Sequence, residues 1–201
     1  MPDPTTIVLL RHGQTDWIGH AIAGRQPGVH LNAEGAAQAL RVRDRLANVP
    51  IDAIYSSPLD RTRETAAPLA TARGLDVRTC DEAIELDFGD WTSHRFADLG
   101  EDAGWRRFNS FRSFSRAAGG ELMPEVQLRI VRAIERLRAA HPGQTVVVVS
   151  HGDVIRAAVA YFLGVPLDLF QRIEIGPASV SRVRLFDDAV SVLGVNDTGV
   201  L

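Results

Sequence analysis

Two histidines stand directly after two short apolar runs, in surroundings suited to handling an anion. Residues 7–10 (Ile-Val-Leu-Leu) precede Arg11-His12-Gly13, and residues 146–149 (four valines) precede Ser150-His151-Gly152. Each histidine is followed by a glycine, which lets the backbone turn sharply and approach a ligand closely. Two imidazoles presented in this way, one of them beside an arginine, predict chemistry on an anion.

Taken alone, the first of these histidines is compatible with three roles. His12 could be a metal ligand, a nucleophile or general base, or a structural histidine at a strand end. A metal site needs partners at ligand spacing, and the sequence has no His-x-His, His-x-x-x-His or paired-cysteine motif. Metal binding is therefore disfavoured, although a carboxylate or metal hydrolase that uses Glu85 with the histidines stays open as a hypothesis.

Two further segments supply groups that suit phosphoryl chemistry. Residues 56–66 (Ser-Ser-Pro-Leu-Asp-Arg-Thr-Arg-Glu-Thr-Ala) follow a predicted strand and place Arg61 in the first turn of a helix. A guanidinium there can fork onto phosphate oxygens beside the positive end of the helix. Residues 85–91 (Glu-Leu-Asp-Phe-Gly-Asp-Trp) offer Glu85, Asp87 and Asp90, whose apolar neighbours could raise a carboxyl pKa by desolvation.

The elements that must position these groups form an α/β pattern. Short β-branched runs bounded by glycine are typical of buried strands in a parallel sheet, whose ligands bind beyond the carboxyl ends of the strands. The predicted strands are residues 7–10, 51–56, 75–79, 146–149, 179–186 and 189–195, and the predicted helices are 32–48, 59–73, 125–140 and 154–163. We therefore expect one α/β domain over residues 1–201, a mainly parallel central sheet with helices on both faces and a C-terminal edge hairpin.

Two features interrupt this regularity. Pro68 lies inside the second predicted helix and predicts a kink or a restart. Residues 92–120 are predicted to form a cap-like insert, with a helix through Trp105, Phe108 and Phe111. The arginines interleaved with these aromatics could cap a phosphorylated metabolite, or they could form the solvated face of a helix whose aromatics pack on the core. The arginines in question are Arg95, Arg106, Arg107, Arg112 and Arg116, and the second interpretation is favoured for most of them.

Bulk composition excludes several classes of function. The chain has 201 residues and a net charge of -3, so no basic field exists to hold nucleic acid or an acidic membrane surface. It contains no lysine, which excludes a Schiff-base or P-loop lysine. A single cysteine, Cys80, fits a reducing compartment and an inert thiol. No signal peptide and no membrane-spanning run is recognisable, so we expect a cytoplasmic protein.

Together these segments resemble the signature of the histidine phosphatase superfamily, which includes the cofactor-dependent phosphoglycerate mutases. The Arg-His-Gly-Gln-Thr run at 11–15 resembles the first motif of the family, and residues 56–66 resemble the second. Glu85 with Phe-Gly-x-Trp at 88–91 resembles the acid loop, and Ser-His-Gly at 150–152 the second histidine. The four blocks span most of the chain in the order of the family, and jointly they are specific.

The resemblance implies a mechanism. His12 would attack phosphorus in line to give a phosphohistidine, which water then hydrolyses. Arg11, Arg61 and His151 would surround the transferring phosphoryl group without a metal or other cofactor. Glu85, which keeps the spacing of the family to Gly89 and is preferred over Asp87 and Asp90, would protonate the leaving oxygen and then activate water.

The resemblance also implies a substrate-binding set and shows departures from it. The expected substrate-binding residues are Gln14, Thr15, Gly24, Arg25 and Gly152. The family usually has an asparagine that contacts phosphate where this chain has Ile18, so that contact is either lost or supplied by another residue, with Arg25 and Gln26 as the candidates. The family also often has Glu-Gly in place of residues 92–93 (Thr-Ser), and many members have Gly-Gly-Glu-Ser where residues 119–122 read Gly-Gly-Glu-Leu.

The compact chain resembles the phosphatase branch rather than the longer mutases, which shield the phosphoenzyme from water. We therefore expect a metal-independent phosphomonoester hydrolase that acts on a small phosphorylated metabolite. The alternatives are mutase-type phosphotransfer and, less favoured, a non-catalytic module that binds a phosphorylated ligand. No nucleic-acid or membrane partner is expected, and the closing hairpin offers an edge for a homodimer.

Overall fold

The computed structural model describes residues 3–199, which form a six-stranded mixed sheet flanked by helices. The strand order is β3-β2-β4-β1-β5-β6; β1 to β4 run parallel, and β5 and β6 are antiparallel to their neighbours. The strands are β1 (Thr5–Arg11), β2 (Ala53–Ser56), β3 (Val77–Thr79), β4 (Thr145–Ser150), β5 (Val180–Leu185) and β6 (Val190–Asp197). The predicted α/β fold with a mainly parallel sheet and a C-terminal edge hairpin is confirmed.

Helices cover both faces of the sheet, as predicted. They are α1 (Ala33–Arg45), α2 (Asp60–Arg73), α3 (Phe96–Leu99), α4 (Ala103–Ser110), α5 (Met123–Ala140) and α6 (Gly152–Leu163). Because side chains alternate along a strand, Ile7 and Leu9 of β1 pack in one core with α5 and α6, and Val8 and Leu10 pack in a second core with α1 and α2. Both faces of the central strands are thus buried, which explains their uninterrupted apolar runs.

The parallel pairing of β1 with β4 brings the two histidine motifs together. Ile7 lies opposite Val146, and this register continues to Arg11 opposite Ser150. One residue later, the amide of His12 donates to the carbonyl of Ser150 at 3.0 Å. The two histidines, 139 positions apart in sequence, therefore leave the same edge of the sheet side by side.

Several predicted boundaries need correction. Helix α2 runs without interruption through Pro68, so no restart occurs there. Strands β2 and β3 begin two residues later than expected, at Ala53 and Val77. Helix α4 ends at Ser110, and Phe111 lies beyond it as a 42% exposed side chain rather than a member of the buried aromatic stripe. The predicted cap at Asn32 is present, because its side chain accepts from the amide of Gly35.

The irregular region over residues 81–122 connects β3 to α5 and carries two short helices. Trp105 and Phe108 of α4 pack with Trp91 and Phe88, so the aromatic stripe covers the core as predicted. Arg106 and Arg107 are exposed, as the solvated-face interpretation requires, whereas Arg112 is buried. Among the helices of residues 3–199, none combines the length and the apolar character that crossing a membrane requires.

Candidate active site

His12 lies at the end of β1 in a state suited to nucleophilic attack. Its Nδ1 is 2.8 Å from the carbonyl oxygen of Gly13. A carbonyl only accepts, so Nδ1 carries the proton and Nε2 carries the lone pair. Burial, assisted by the guanidinium groups of Arg11 and Arg61, holds the pKa of His12 well below its ordinary value. The imidazole is therefore neutral and nucleophilic at physiological pH.

The backbone after His12 is tightly packed, which fixes the position of the ring. The amide of Gly13 donates to Thr65 Oγ1 at 3.0 Å, and that hydroxyl donates to the carbonyl of Arg61 at 2.7 Å. A Cβ atom at Gly13 would lie 2.6 Å from the carbonyl oxygen of Gly35, so a larger residue does not fit. The glycine of the motif is required here for close packing of the backbone.

Arg11 and Arg61 supply buried positive charge beside His12. Arg11 Nη1 donates to the carbonyl of Ile175 at 2.6 Å, and Arg61 Nη2 donates to the carbonyl of Gly24 at 2.7 Å. Arg11 Nε and Arg61 Nη1 are buried and have no hydrogen-bond partner within residues 3–199. Buried donors without acceptors are costly, so two such donors beside one nucleophile indicate a site for an anion.

His151 lies fully buried behind these groups. Its ring centroid is 5.2 Å from that of His12. Its Nδ1 lies 3.3 Å from Arg61 Nη2, which can only donate, so its Nε2 carries the proton and donates to Ser57 Oγ at 2.8 Å. His151 thus orients Arg61 and lies outside the lining of the cavity. Its predicted contact with a phosphoryl group stays a prediction.

Glu85 is held in a state that suits a general acid. Its Oε1 accepts from the amide of Leu86 at 2.8 Å, and its Oε2 is 3.8 Å from His151 Nδ1. Burial and the neighbouring carboxylate of Asp153 raise the pKa of Glu85 to about 7, against the opposing effect of Arg61. The carboxyl is therefore available in both protonation states near neutral pH, as acid–base catalysis requires.

The loop that carries Glu85 is fastened by charged side chains. The backbone carbonyl of Glu85 accepts from Arg25 Nε at 2.9 Å and from Arg129 Nη2 at 3.1 Å. Glu121 accepts from the amide of Asp87 at 3.0 Å and pairs with Arg25 at 2.7 Å and with Arg129 at 3.2 Å. Arg25 fixes the acid loop and lies outside the cavity lining, and its predicted contact with substrate stays a prediction.

A cavity of about 270 Å³ opens over these groups. The predicted residues that line it are Arg11, His12, Thr15, Gly24, Arg61, Glu85 and Gly152. Gln14 does not line it, and its backbone amide donates to Gln38 Oε1 of α1 at 2.7 Å. Ile18 does line it, with apolar neighbours that include Trp17, Phe88, Phe96 and Trp105.

Sequence reasoning missed a charged group in the lining of the cavity. Arg112, Asp153 and Arg156 all line it, and Asp153 pairs with both arginines. Asp153 and Arg156 lie three residues apart in the first turns of α6, directly after Ser150-His151-Gly152, and that spacing was the available signal. Within residues 3–199, no group of three or more His, Cys, Asp or Glu side chains is arranged to hold a metal ion.

Comparison with known proteins decides the family. Residues 7–198 match the family model of the histidine phosphatase superfamily (branch 1). The chain belongs to this superfamily.

Among the relatives of this chain is phosphoserine phosphatase 1 from Hydrogenobacter thermophilus, 33% identical over 96% of this chain and 92% of that protein. A probable phosphoglycerate mutase, GpmB, from Salmonella choleraesuis is 33% identical over 88% of this chain and 83% of its own length. Among solved structures, mycobacterial glucosyl-3-phosphoglycerate phosphatase in complex with VO3 superposes with a TM-score of 0.87 at 29% identity, covering 96% of this chain and 98% of that one. These likenesses agree with the predicted fold and family.

Proposed function

We propose that this protein is a metal-independent phosphomonoesterase that hydrolyses a small phosphorylated metabolite through a phosphohistidine on His12. The observation that carries the proposal is the state of His12. Its Nδ1 proton is committed to the carbonyl of Gly13, so Nε2 is free to attack, and Arg11 and Arg61 beside it hold unpartnered buried donors. A nucleophile next to an unfilled anion site fits phosphoryl transfer.

In the first step, the lone pair of His12 Nε2 forms a bond to phosphorus while the bond from phosphorus to the leaving oxygen breaks. The proton of Glu85 moves to that oxygen, so the leaving group departs as a neutral alcohol. Arg11 and Arg61 balance the charge on the equatorial oxygens of the phosphoryl group. Arginine provides this with geometrically matched donors, without the need for a divalent ion.

In the second step, water attacks the phosphohistidine. The Glu85 carboxylate takes a proton from the water as the new oxygen–phosphorus bond forms and the bond to Nε2 breaks. Inorganic phosphate leaves, His12 is neutral again, and Glu85 is protonated for the next cycle. A pKa of about 7 lets Glu85 act in both directions near neutral pH.

The size of the cavity and the relatives support a small substrate. A volume of about 270 Å³ suits a metabolite of a few carbon atoms rather than a folded protein. Two of the proteins that this chain resembles are phosphatases of phosphoserine and of glucosyl-3-phosphoglycerate. Both names describe phosphomonoesters of small molecules.

The test is phosphate release from a panel of small phosphomonoesters in the presence of EDTA, comparing the wild type with His12→Ala. We expect turnover that resists the chelator and disappears in the variant. Rapid acid-free quenching with a ³²P-labelled substrate should trap a labelled protein whose label is acid-labile and base-stable. Turnover that EDTA abolishes, or that His12→Ala retains, would contradict the proposal.

Mutase-type phosphotransfer is the second candidate, favoured by the similarity to a probable phosphoglycerate mutase. The same labelled protein distinguishes the two. A phosphatase loses its label to water within the time of one turnover. A mutase keeps the label until an acceptor such as phosphoglycerate is added, and then transfers it without release of inorganic phosphate.

A further inference from the structure

The lining of the active-site cavity includes a charged group to which the proposed chemistry assigns no contact with the substrate. Its members are Arg112, Asp153 and Arg156, called here the Arg112 cluster. Arg112 Nη1 lies 3.1 Å from one oxygen of Asp153, and Arg156 Nη1 lies 2.6 Å from the other. All three side chains line the same cavity as His12.

The cluster is built to hold its geometry. Arg112 Nη2 donates to Asn109 Oδ1 at 2.7 Å, and the guanidinium carbon lies 4.1 Å from the ring centroid of Phe108. Arg156 Nε donates to the carbonyl of Ile173 at 2.8 Å. Only 4% of the Arg112 side chain and 20% of the Arg156 side chain is exposed. Arginines on a solvated helix face would show neither this burial nor these contacts.

The two guanidinium groups of the cluster carry more positive charge than Asp153 neutralises, and they have more N–H donors than the nearby protein acceptors satisfy. Two guanidinium groups share one carboxylate, which leaves a net charge of one positive unit. Arg112 Nε is buried without an acceptor, and Arg156 Nη2 makes no hydrogen bond within residues 3–199. Because a buried charge without a counter-charge is costly, binding of an anionic ligand that neutralises it is favoured.

The charges of the whole cavity separate into two sites. Arg11 and Arg61, beside His12, match the two negative charges of a phosphomonoester dianion. The Arg112 cluster retains one positive charge and matches a monoanion. Asp153 of the cluster and Glu85, the proposed acid, line the same cavity, and Asp153 is close enough to act with burial in raising the pKa of Glu85. Because Glu85 must lie beside the leaving oxygen, the cluster is placed to bind an anionic end of the leaving group.

We propose that the Arg112 cluster is a carboxylate-binding subsite and that the preferred substrates are phosphomonoesters of small hydroxy acids. This inference rests on the proposed function, whose phosphoryl site it extends. A second phosphate at the same position would bring up to two negative charges against a net single positive charge. A neutral alcohol would leave the surplus charge and the free donors of Arg112 and Arg156 unsatisfied.

The test measures binding without turnover. In a His12→Ala protein, calorimetry compares 3-phosphoglycerate with glycerol 3-phosphate, which share a three-carbon chain and differ in a carboxylate against a hydroxymethyl group. O-phosphoserine and phosphoethanolamine form a second pair that differs in the carboxylate alone. We expect each acid to bind at least tenfold more tightly than its partner.

Variants of the cluster then test whether it causes the preference for the carboxylate. Adding Arg156→Gln should reduce the ratio of the two dissociation constants to threefold or less by weakening the acid alone. Arg156→Lys, which keeps the charge and loses the fork, should retain part of the ratio. Arg107→Gln is the matched control, because Arg107 is exposed on α4 and does not line the cavity. Circular dichroism at the assay temperature confirms that each variant is folded.

Equal affinities within each pair, no detectable binding of either acid, or a ratio that Arg156→Gln leaves intact would overturn the subsite. A bisphosphate that carries a phosphate in place of the carboxylate, such as glycerol 1,3-bisphosphate, and that binds more tightly than 3-phosphoglycerate would also overturn it. The proposed function is tested separately, by measuring phosphate release by the wild type. The binding ratios stand whether or not that protein turns the compounds over.

Discussion

The pH dependence of phosphoryl transfer should be set by Glu85. A carboxyl with a pKa of about 7 is half protonated at pH 7, whereas an ordinary glutamic acid with a pKa of 4.5 is only about 0.3% protonated there. The raised pKa thus increases the acid form at pH 7 about 150-fold. Because the acid form must donate to the leaving oxygen, kcat/KM should fall as pH rises, approaching tenfold per unit well above pH 7.

The assay is kcat/KM between pH 5.5 and 9 for an alkyl phosphomonoester that the panel identifies as a substrate. Its phosphate ionises near pH 6 and accounts for the acidic limb, so the basic limb reports Glu85. Glu85→Gln should remove the basic limb and lower kcat/KM for the alkyl ester about 10²- to 10⁴-fold. The loss for p-nitrophenyl phosphate should be smaller, because its leaving group departs readily without a proton.

Two results would refute this reasoning. A basic limb that persists in Glu85→Gln would assign the titration to another group. Equal losses for the alkyl ester and p-nitrophenyl phosphate would show that Glu85 does not protonate the leaving oxygen. Glu85→Asp is a useful companion variant, since it keeps a carboxyl group but withdraws it by one methylene, and should retain a basic limb at reduced rate.

Three further outcomes follow from the same contacts. Glu85→Gln should be more stable than the wild type above pH 7 and no different near pH 4, because the folded state resists ionisation of Glu85; unequal thermal midpoints near pH 4 would contradict this. Arg61→Lys should lower kcat/KM by about 10²-fold through loss of its forked donors, while Arg63→Lys, exposed on the same helix, should leave it unchanged. Gly35→Ala should cost about 2 kcal/mol or more in urea unfolding, because its Cβ would lie 2.1 Å from a backbone oxygen, and Gly100→Ala, with open space, should cost much less.

The sequence predicted the edge of the sheet because its strongest signals are the apolar strands themselves. Residues 7–10 and 146–149 contain no polar residue. Such uninterrupted apolar runs are typical of strands that are buried on both faces of a sheet. Placing His12 and His151 after them therefore needed no knowledge of the tertiary structure. The arginines of the first two motifs followed, since each lies within a few residues of a strand end.

The direction of individual side chains was beyond that reasoning. The sequence motif places His151 correctly at the end of β4, and Arg25 was expected in the substrate site, yet both side chains bind protein groups. His151 contacts Ser57 and Arg61, and Arg25 binds the acid loop. Such hydrogen bonds depend on which elements meet. The periodicity of a single segment carries no information about them.

The Arg112 cluster was missed for a related reason. Arg112 follows α4 in the irregular insert, and Asp153 belongs to the first turn of α6, 41 positions later. Most arginines in and near α4 are exposed, as predicted. The expectation of a solvated arginine face is wrong only for Arg112. Only the packing of the insert against α6 reveals that one guanidinium turns inward.

Asp153 links the two halves of the cavity through charge. Burial, assisted by Arg11 and Arg61, lowers the pKa of His12 and so frees its lone pair. The same two cations favour ionisation of Glu85 and would weaken it as an acid. Burial and the carboxylate of Asp153 act in the opposite direction and keep Glu85 protonated near neutral pH. A substrate carboxylate bound by the Arg112 cluster would add a second negative charge on that side. Binding the leaving group and raising the pKa of the acid that protonates it would then have the same electrostatic cause. Because the pH profile of kcat reports the enzyme–substrate complex, the basic limb of kcat should lie at higher pH for an acid substrate than for a neutral one.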